Sequence, residues 1–67
     1  MEWNEKRGKV VFIKLRDGGV YNGLVLDIDE RAKPIIFLTI KDKYNKIVTF
    51  ATSEIIKISE EGNGERR

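Results

Sequence analysis

The sequence predicts an all-β domain, a small five-stranded, strongly bent antiparallel barrel with a short helix at its N-terminus. Apolar, β-prone runs recur at short intervals, and polar turn residues rather than helical segments separate them. The dipeptide Asp17-Gly18 stands between the first two runs and is a strong hairpin signal. Gly23 interrupts the second run, as expected where a sheet bends or another backbone approaches closely. Both SH3-like and OB-like barrels fit this pattern.

The composition limits how such a domain is stabilised and what chemistry it performs. The 67 residues suffice for one domain, and a domain of this size buries only about 60% of its unfolded surface. Cys and His are absent, which excludes disulfides and removes the commonest metal ligand and the usual general base. We therefore expect no metal and no cofactor, and oligomerisation becomes a common route to more buried area.

The charges are numerous, mixed in sign and nearly balanced. Charged residues make up 36% of the chain, yet the formal net charge is only +2. Abundant Lys, Glu and Arg without Cys, His or Gln is typical of thermophile proteins. No apolar run approaches the roughly 20 residues that cross a bilayer, and the first residues lack the apolar core of a signal peptide. A cytoplasmic protein is expected.

The N-terminal elements follow from local patterns. Residues 2–7 predict a short helix ended by Gly8, and Trp3 is its obvious anchor. Trp3 either covers an open end of the sheet, which we favour, or offers a stacking surface for a base. The first strand is expected over residues 9–16, with apolar residues on both faces near its start, so coverage on both sides is predicted there.

The remaining strands are separated by three polar segments. The second strand is expected over residues 20–29, with one face formed by Val20, Leu24, Leu26 and Ile28. A charged loop ending at Pro34 precedes the third strand, and a polar turn with Asn45 at positive φ precedes the fourth. The predicted bounds of the last three strands are 35–41, 47–51 and 55–58.

The last turn and the C-terminal segment complete this assignment. Residues 52–54 are too few for an ordinary wide hairpin and resemble the single 3₁₀ turn that separates the last two strands of SH3-like barrels. The domain is assigned to residues 1–59, and residues 60–67 are interpreted as a flexible charged tail.

One pattern of spacing links Leu15, Gly18, Tyr21, Gly23 and Asp29. It resembles the first half of the Sm-like (LSm) motif, in an archaeal-type form. That half has an apolar residue, a turn Gly, an aromatic residue two before an invariant Gly, and an Asp six after it. Residues 50–58, FATSEIIKI, are similar to the second half in length and apolar positions only. The resemblance spans about residues 9–58.

The resemblance implies a ring of six or seven copies that binds single-stranded, often uridine-rich RNA. Rings of this family close by pairing the fourth strand of one subunit with the fifth of the next, which removes exposed edges. The sequence alone leaves open whether the residues at this seam close a ring or fill a monomer core. The candidate seam residues are Val48, Phe50, Ile55 and Ile56.

The residues that bind the base in this family are replaced here. Where the family carries an aromatic or His and then an Asn, this chain has Arg31 and Lys33. The family's Arg-Gly pair is replaced by Ala51-Thr52. The resemblance therefore implies a retained fold without the usual uridine pocket.

Two basic clusters are the candidate RNA contacts. Arg31 and Lys33 are suited to phosphate contact. The same residues would also occur in an ordinary solvated loop of mixed charge. The second cluster interleaves lysines with an aromatic residue, as single-strand binders do and as ordinary solvated turns also do. It consists of Lys41, Lys43, Tyr44 and Lys46.

No catalytic constellation is recognisable. The clustered acids Asp17, Asp27, Asp29 and Glu30 have no nucleophile or phosphate-binding loop beside them, so an enzyme is not expected. The function predicted is that of an RNA-binding homo-oligomeric ring in RNA metabolism. The alternative is a structural or protein-interaction module on the same fold that binds no RNA, and its protein partners are unknown.

Overall fold

The computed structural model describes residues 3–60, which form five antiparallel strands and two short 3₁₀ helices. This confirms the predicted all-β class and the 3₁₀ turn between the last two strands. The N-terminal element is one 3₁₀ turn rather than a longer helix. In chain order the elements are η1 (Trp3–Lys6), β1 (Val10–Leu15), β2 (Val20–Asp29), β3 (Phe37–Asp42), β4 (Ile47–Ala51), η2 (Thr52–Glu54) and β5 (Ile55–Glu60).

The five strands form one open sheet in the order β4-β3-β2-β1-β5. The sheet is not closed into a barrel: within residues 3–60, no strand pairing joins β4 to β5, so these two strands are the edges. Both edges nevertheless pack on the same core, since Val48 from β4 and Ile55 and Ile58 from β5 contact it. The sheet is thus curled around its core without being closed.

One face of the sheet carries the core and the other is open. Trp3 packs against the core, as expected for an anchor. The opposite face of β1 is uncovered in the single chain, because Val10 and Phe12 are 40% and 46% exposed. The prediction that β1 is covered on both sides is therefore wrong. The buried core consists of Val11, Ile13, Leu15, Val25, Ile28, Leu38, Ile40 and Phe50.

A β-bulge at Leu26 reverses the side-chain alternation of β2. Val25 pairs with Ile40, but the next paired residue is Asp27, opposite Thr39. The extra residue shifts the following residues to the other face, so Val25 and Ile28 are both buried. The predicted common face of Val20, Leu24, Leu26 and Ile28 is wrong for this reason, since Ile28 alone of these four is buried.

Gly23 lies against the backbone of β3, opposite Asp42. A Cβ at this position would come within 2.5 Å of the Lys41 carbonyl oxygen, so only Gly fits. This confirms the close backbone approach expected there. In the β1–β2 turn Gly18 has a φ of 95°, and the backbone N–H of Gly19 donates to Oδ1 of Asp17 at 2.8 Å.

Two strand bounds differ from the prediction. β3 begins at Phe37 because Ile35 and Ile36 bond elsewhere. The N–H of Ile35 donates to the Ala32 carbonyl at 2.9 Å, and the Ile36 carbonyl accepts from Thr52 at 2.8 Å.

At the other end, β5 extends beyond Ile58 to Glu60, which pairs with Val11. The Glu60 carboxylate also lies 3.1 Å from the Lys6 amino group. Residues 61–67 of the expected tail lie outside the described residues. Between residues 3 and 60, no helix has the length and apolarity needed to span a bilayer.

Candidate nucleic-acid interface

The two basic clusters predicted from the sequence lie in different parts of the molecule. Arg31 and Lys33 are in the β2–β3 loop, while Lys43, Tyr44 and Lys46 are in or beside the β3–β4 turn. Their electrostatic surroundings differ, and this difference decides which cluster is better suited to contact RNA.

The guanidinium of Arg31 is held by Asp29. Its Nε and Nη2 atoms donate to the two carboxylate oxygens of Asp29 at 3.0 and 2.9 Å, a bidentate pair. The backbone N–H of Arg31 donates to Asp29 Oδ1 at 3.0 Å. These bonds, with the side chain of Arg31 contributing most, lower the pKa of Asp29 from 3.8 to about 2 and raise the pKa of Arg31.

The other cations near this loop are paired in the same way. The Lys33 amino group lies 3.1 Å from Glu30 Oε1. Arg7, which follows η1, donates from Nη1 to Asp27 Oδ1 at 2.9 Å. The positive charge that the sequence offers to a phosphate is therefore largely neutralised within the loop.

These ion pairs also account for the acidic cluster. Asp27, Asp29 and Glu30 each face a basic side chain, and Asp17 accepts from the β1–β2 turn. Within residues 3–60, no group of three or more acidic side chains is placed to hold a metal ion.

A groove opens beside the β3–β4 turn because β2 continues past the end of β3. The last residue of β3, Asp42, pairs with Gly23, whereas residues 20–22 of β2 pair only with β1. The resulting space, the turn groove, has a volume of about 620 Å³. It is lined by Phe12, Val20, Tyr21, Asn22, Asp42, Lys43, Tyr44, Lys46 and Val48.

Aromatic rings dominate the apolar part of the turn groove. Tyr44 is 72% exposed and Phe12 is 46% exposed. Tyr21 is half-buried, and its ring packs at 60° against that of Phe50, with 4.9 Å between centroids. The Lys43 amino group lies 5.4 Å from the centroid of the Tyr44 ring, within cation–π range.

The lysines of the turn groove are available for a ligand. Within residues 3–60, no carboxylate oxygen lies within 4.0 Å of the Lys43 or Lys46 amino group. Asp42 also lines the groove, but its Oδ1 accepts the backbone N–H groups of Tyr44 and Lys46 at 2.8 and 2.9 Å. That carboxylate shapes the turn, in which Asn45 has the predicted positive φ of 67°.

The remaining predicted residues occupy several environments. Lys41 does not line the groove, and it lies between Leu24 and Ile47 in the strand register. Of the seam residues, Phe50 is buried in the core and Ile56 is 54% exposed. Val48 and Ile55 are partly buried against the core.

Sequence reasoning assigned five groove residues to neither the RNA contacts nor the seam, namely Phe12, Val20, Tyr21, Asn22 and Asp42. Phe12 alternates with the buried Val11 and Ile13 along β1, which is a partial signal. The extension of β2 beyond β3, which creates the groove, depends on strand register and has no local sequence signature.

The β2–β3 loop and the β4–β5 turn meet through one backbone bond. Thr52 donates its N–H to the Ile36 carbonyl at 2.8 Å. The two segments that the Sm-like resemblance relates to base binding are thus adjacent, and they carry Arg31, Lys33 and Ala51-Thr52 instead of the family's base contacts.

The chain matches no protein-family model, and no significant similarity to a curated protein or to a solved structure was found. The fold therefore assigns the protein to a structural class: small all-β proteins with one curled, open, five-stranded antiparallel sheet.

Proposed function

We propose that this chain is an Sm-like protein that assembles into a homo-oligomeric ring and binds single-stranded RNA in RNA metabolism. The observation that supports this best is the strand order, which leaves β4 and β5 as the two edges of one curled sheet. Pairing β4 of one copy with β5 of the next satisfies both edges at once.

The two exposed edges of the sheet favour the assembly of several copies. Each edge strand presents a row of backbone groups without a strand partner, which promotes uncontrolled association unless it is covered. Ile47 on β4 and Ile56 on β5 are 58% and 54% exposed, so both edges also carry apolar surface. A head-to-tail contact repeated around a closed ring buries all of these groups. Six or seven copies are proposed from the Sm-like resemblance.

RNA binding is supported by the combination of rings and cations beside the β3–β4 turn. Single-strand binders use aromatic faces for bases and lysines for the backbone. Arg31 and Lys33 can contact phosphate only if they release their ion-pair partners Asp29 and Glu30. We therefore assign them the smaller share of the phosphate contacts.

Solution mass, measured by light scattering with and without a short oligo-uridine strand, tests both parts. A mass six or seven times that of the 7.8 kDa chain, and complex formation at moderate salt, is the expected result. Ile56→Glu on β5 is expected to break the ring. Ile35→Glu is the matched control, because Ile35 is 53% exposed but lies outside the edge strands. A wild-type monomer that ignores RNA would contradict the proposal.

A protein-interaction module without RNA is the second candidate. It is favoured by the exposed apolar side chains of the outer sheet face, where Val10, Leu24 and Leu26 are 40%, 36% and 40% exposed. Co-purification separates the two functions, since nucleic acid absorbing at 260 nm supports the first and a stoichiometric protein supports the second.

A further inference from the structure

We propose that the turn groove binds one unpaired base of single-stranded RNA, with the adjoining phosphates on Lys43 and Lys46. This inference rests on the proposed RNA-binding function and assigns its base contact to a particular site. The site is distinct from the β2–β3 loop and the β4–β5 turn, where the Sm-like resemblance would place it.

The shape and lining of the groove suit a planar heterocycle. Its volume of about 620 Å³ is within the roughly 300–1,000 Å³ range of small-molecule sites. Phe12 and Tyr44 present exposed rings, and stacking on such rings is tolerant of base identity. On the other side of the groove, Tyr21 packs against the buried ring of Phe50.

Asn22 supplies polar groups for the edge of a base. In the β1–β2 ladder, Leu15 donates its N–H to the Gly19 carbonyl, so residues 19, 21 and 23 bond toward β1. By the same alternation, the backbone N–H and carbonyl of Asn22 face away from β1, toward the groove that replaces β3 there. Its side-chain amide adds one acceptor and two donors, as needed to bond a base edge in a bidentate manner.

The charge distribution favours this groove over the loop as the phosphate site. Lys43 and Lys46 have no carboxylate within 4.0 Å in the described part of the chain, whereas Arg31 and Lys33 each hold one. A phosphate beside Lys43 therefore displaces no existing ion pair. Among residues 3–60, Asp42 is the one acidic residue in the lining of the groove, and its Oδ1 accepts two backbone N–H groups of the turn.

Fluorescence anisotropy with a labelled oligo-uridine and a labelled oligo-adenine strand, across a salt series, tests the proposal. Tyr44→Leu removes the stacking face but keeps apolar volume, and we expect it to weaken binding by about 5- to 150-fold. Tyr44→Phe retains the ring and is expected to bind like the wild type. Tyr44 is 72% exposed, so neither change disturbs the core.

The double variant Lys43→Gln and Lys46→Gln is expected to lower the slope of log affinity against log salt by about 1.4, since each single-strand phosphate contact contributes about 0.7. Lys57→Gln on β5 is the control, expected to change the slope little.

Three results would overturn the inference. If the wild type binds RNA and all the groove variants bind equally well, the groove is not the site although RNA binding stands. If the wild type binds no RNA, the proposed function itself fails. If a polyglutamate peptide rather than RNA shifts the backbone NMR signals of Asn22 and Tyr44, the groove takes an acidic protein segment.

Discussion

The ring of Tyr21 lies 4.9 Å from the ring of Phe50, centroid to centroid, and the two planes meet at 60°. Tyr21 is on β2 and Phe50 is on β4, with β3 between them in the sheet. In a flat sheet, strands two positions apart are roughly 9–10 Å apart. The contact therefore records how far the sheet curls, bringing the β4 edge over the start of β2.

This aromatic contact is expected to contribute to stability beyond the area it buries. In a double-mutant cycle of Tyr21→Leu, Phe50→Leu and the double variant, we expect a coupling of about 0.5–1.5 kcal/mol in the free energy of unfolding. Urea denaturation monitored by circular dichroism measures it. A coupling near zero would show that the rings pack independently of each other.

Gly23→Ala is expected to destabilise the fold by about 2 kcal/mol or more, because the new methyl group would overlap the Lys41 carbonyl oxygen at 2.5 Å. Urea denaturation gives the change. Gly19→Ala is the control, since its Cβ would meet side-chain atoms alone, the nearest being an oxygen of Asp17 at 3.1 Å. Equal losses in the two variants would exclude the backbone overlap as the cause.

Asn45 has a φ of 67°, which favours Gly over other residues. We expect Asn45→Gly to leave the free energy of unfolding nearly unchanged and Asn45→Ala to lower it by about 1 kcal/mol. Thermal unfolding of the two variants compares them. An Ala variant as stable as the Gly variant would contradict the backbone argument.

Asp29 is expected to titrate at about pH 2, because the Arg31 side chain and backbone N–H bond its carboxylate. Its folded pKa is lowered, so its stabilising effect is complete above its unfolded pKa near 3.8. The effect is lost as pH falls from there toward about 2. Asp29→Asn should remove this part of the pH dependence.

NMR titration of the Asp29 carboxyl carbon measures the same pKa directly. Arg31→Ala should raise it only part of the way to 3.8, because the backbone N–H of residue 31 still donates. A pKa of 3.8 already present in the wild type would mean that the ion pair does not persist in solution.

Features controlled by local chemistry were predictable from the sequence. The turn at Gly18 and the positive φ of Asn45 follow from what single residues tolerate, and the 3₁₀ turn after β4 was indicated by the shortness of its segment. The bulge at Leu26 and the late start of β3 were not predicted, because both depend on which strand a residue pairs with.

The candidate site divides in the same way. Lys43, Tyr44 and Lys46 were recognisable as a cluster because they are adjacent in sequence. Phe12 and Asn22 join them only through the strand register. Arg31 was recognisable as a candidate phosphate contact from its charge alone. Its pairing with Asp29, two residues earlier, removes much of the attraction for phosphate that the sequence suggested.

The curl of the sheet also has a geometric consequence for assembly. In a ring built by pairing β4 with β5 of the next copy, the turn made at each subunit equals the angle between the two edges of a single chain. The Tyr21–Phe50 packing and the close approach at Gly23 help to hold that angle. The number of copies in the ring would then depend on side-chain packing inside each subunit. A core substitution that flattens the sheet by a few degrees would change the number of copies, or convert the closed ring into an open spiral.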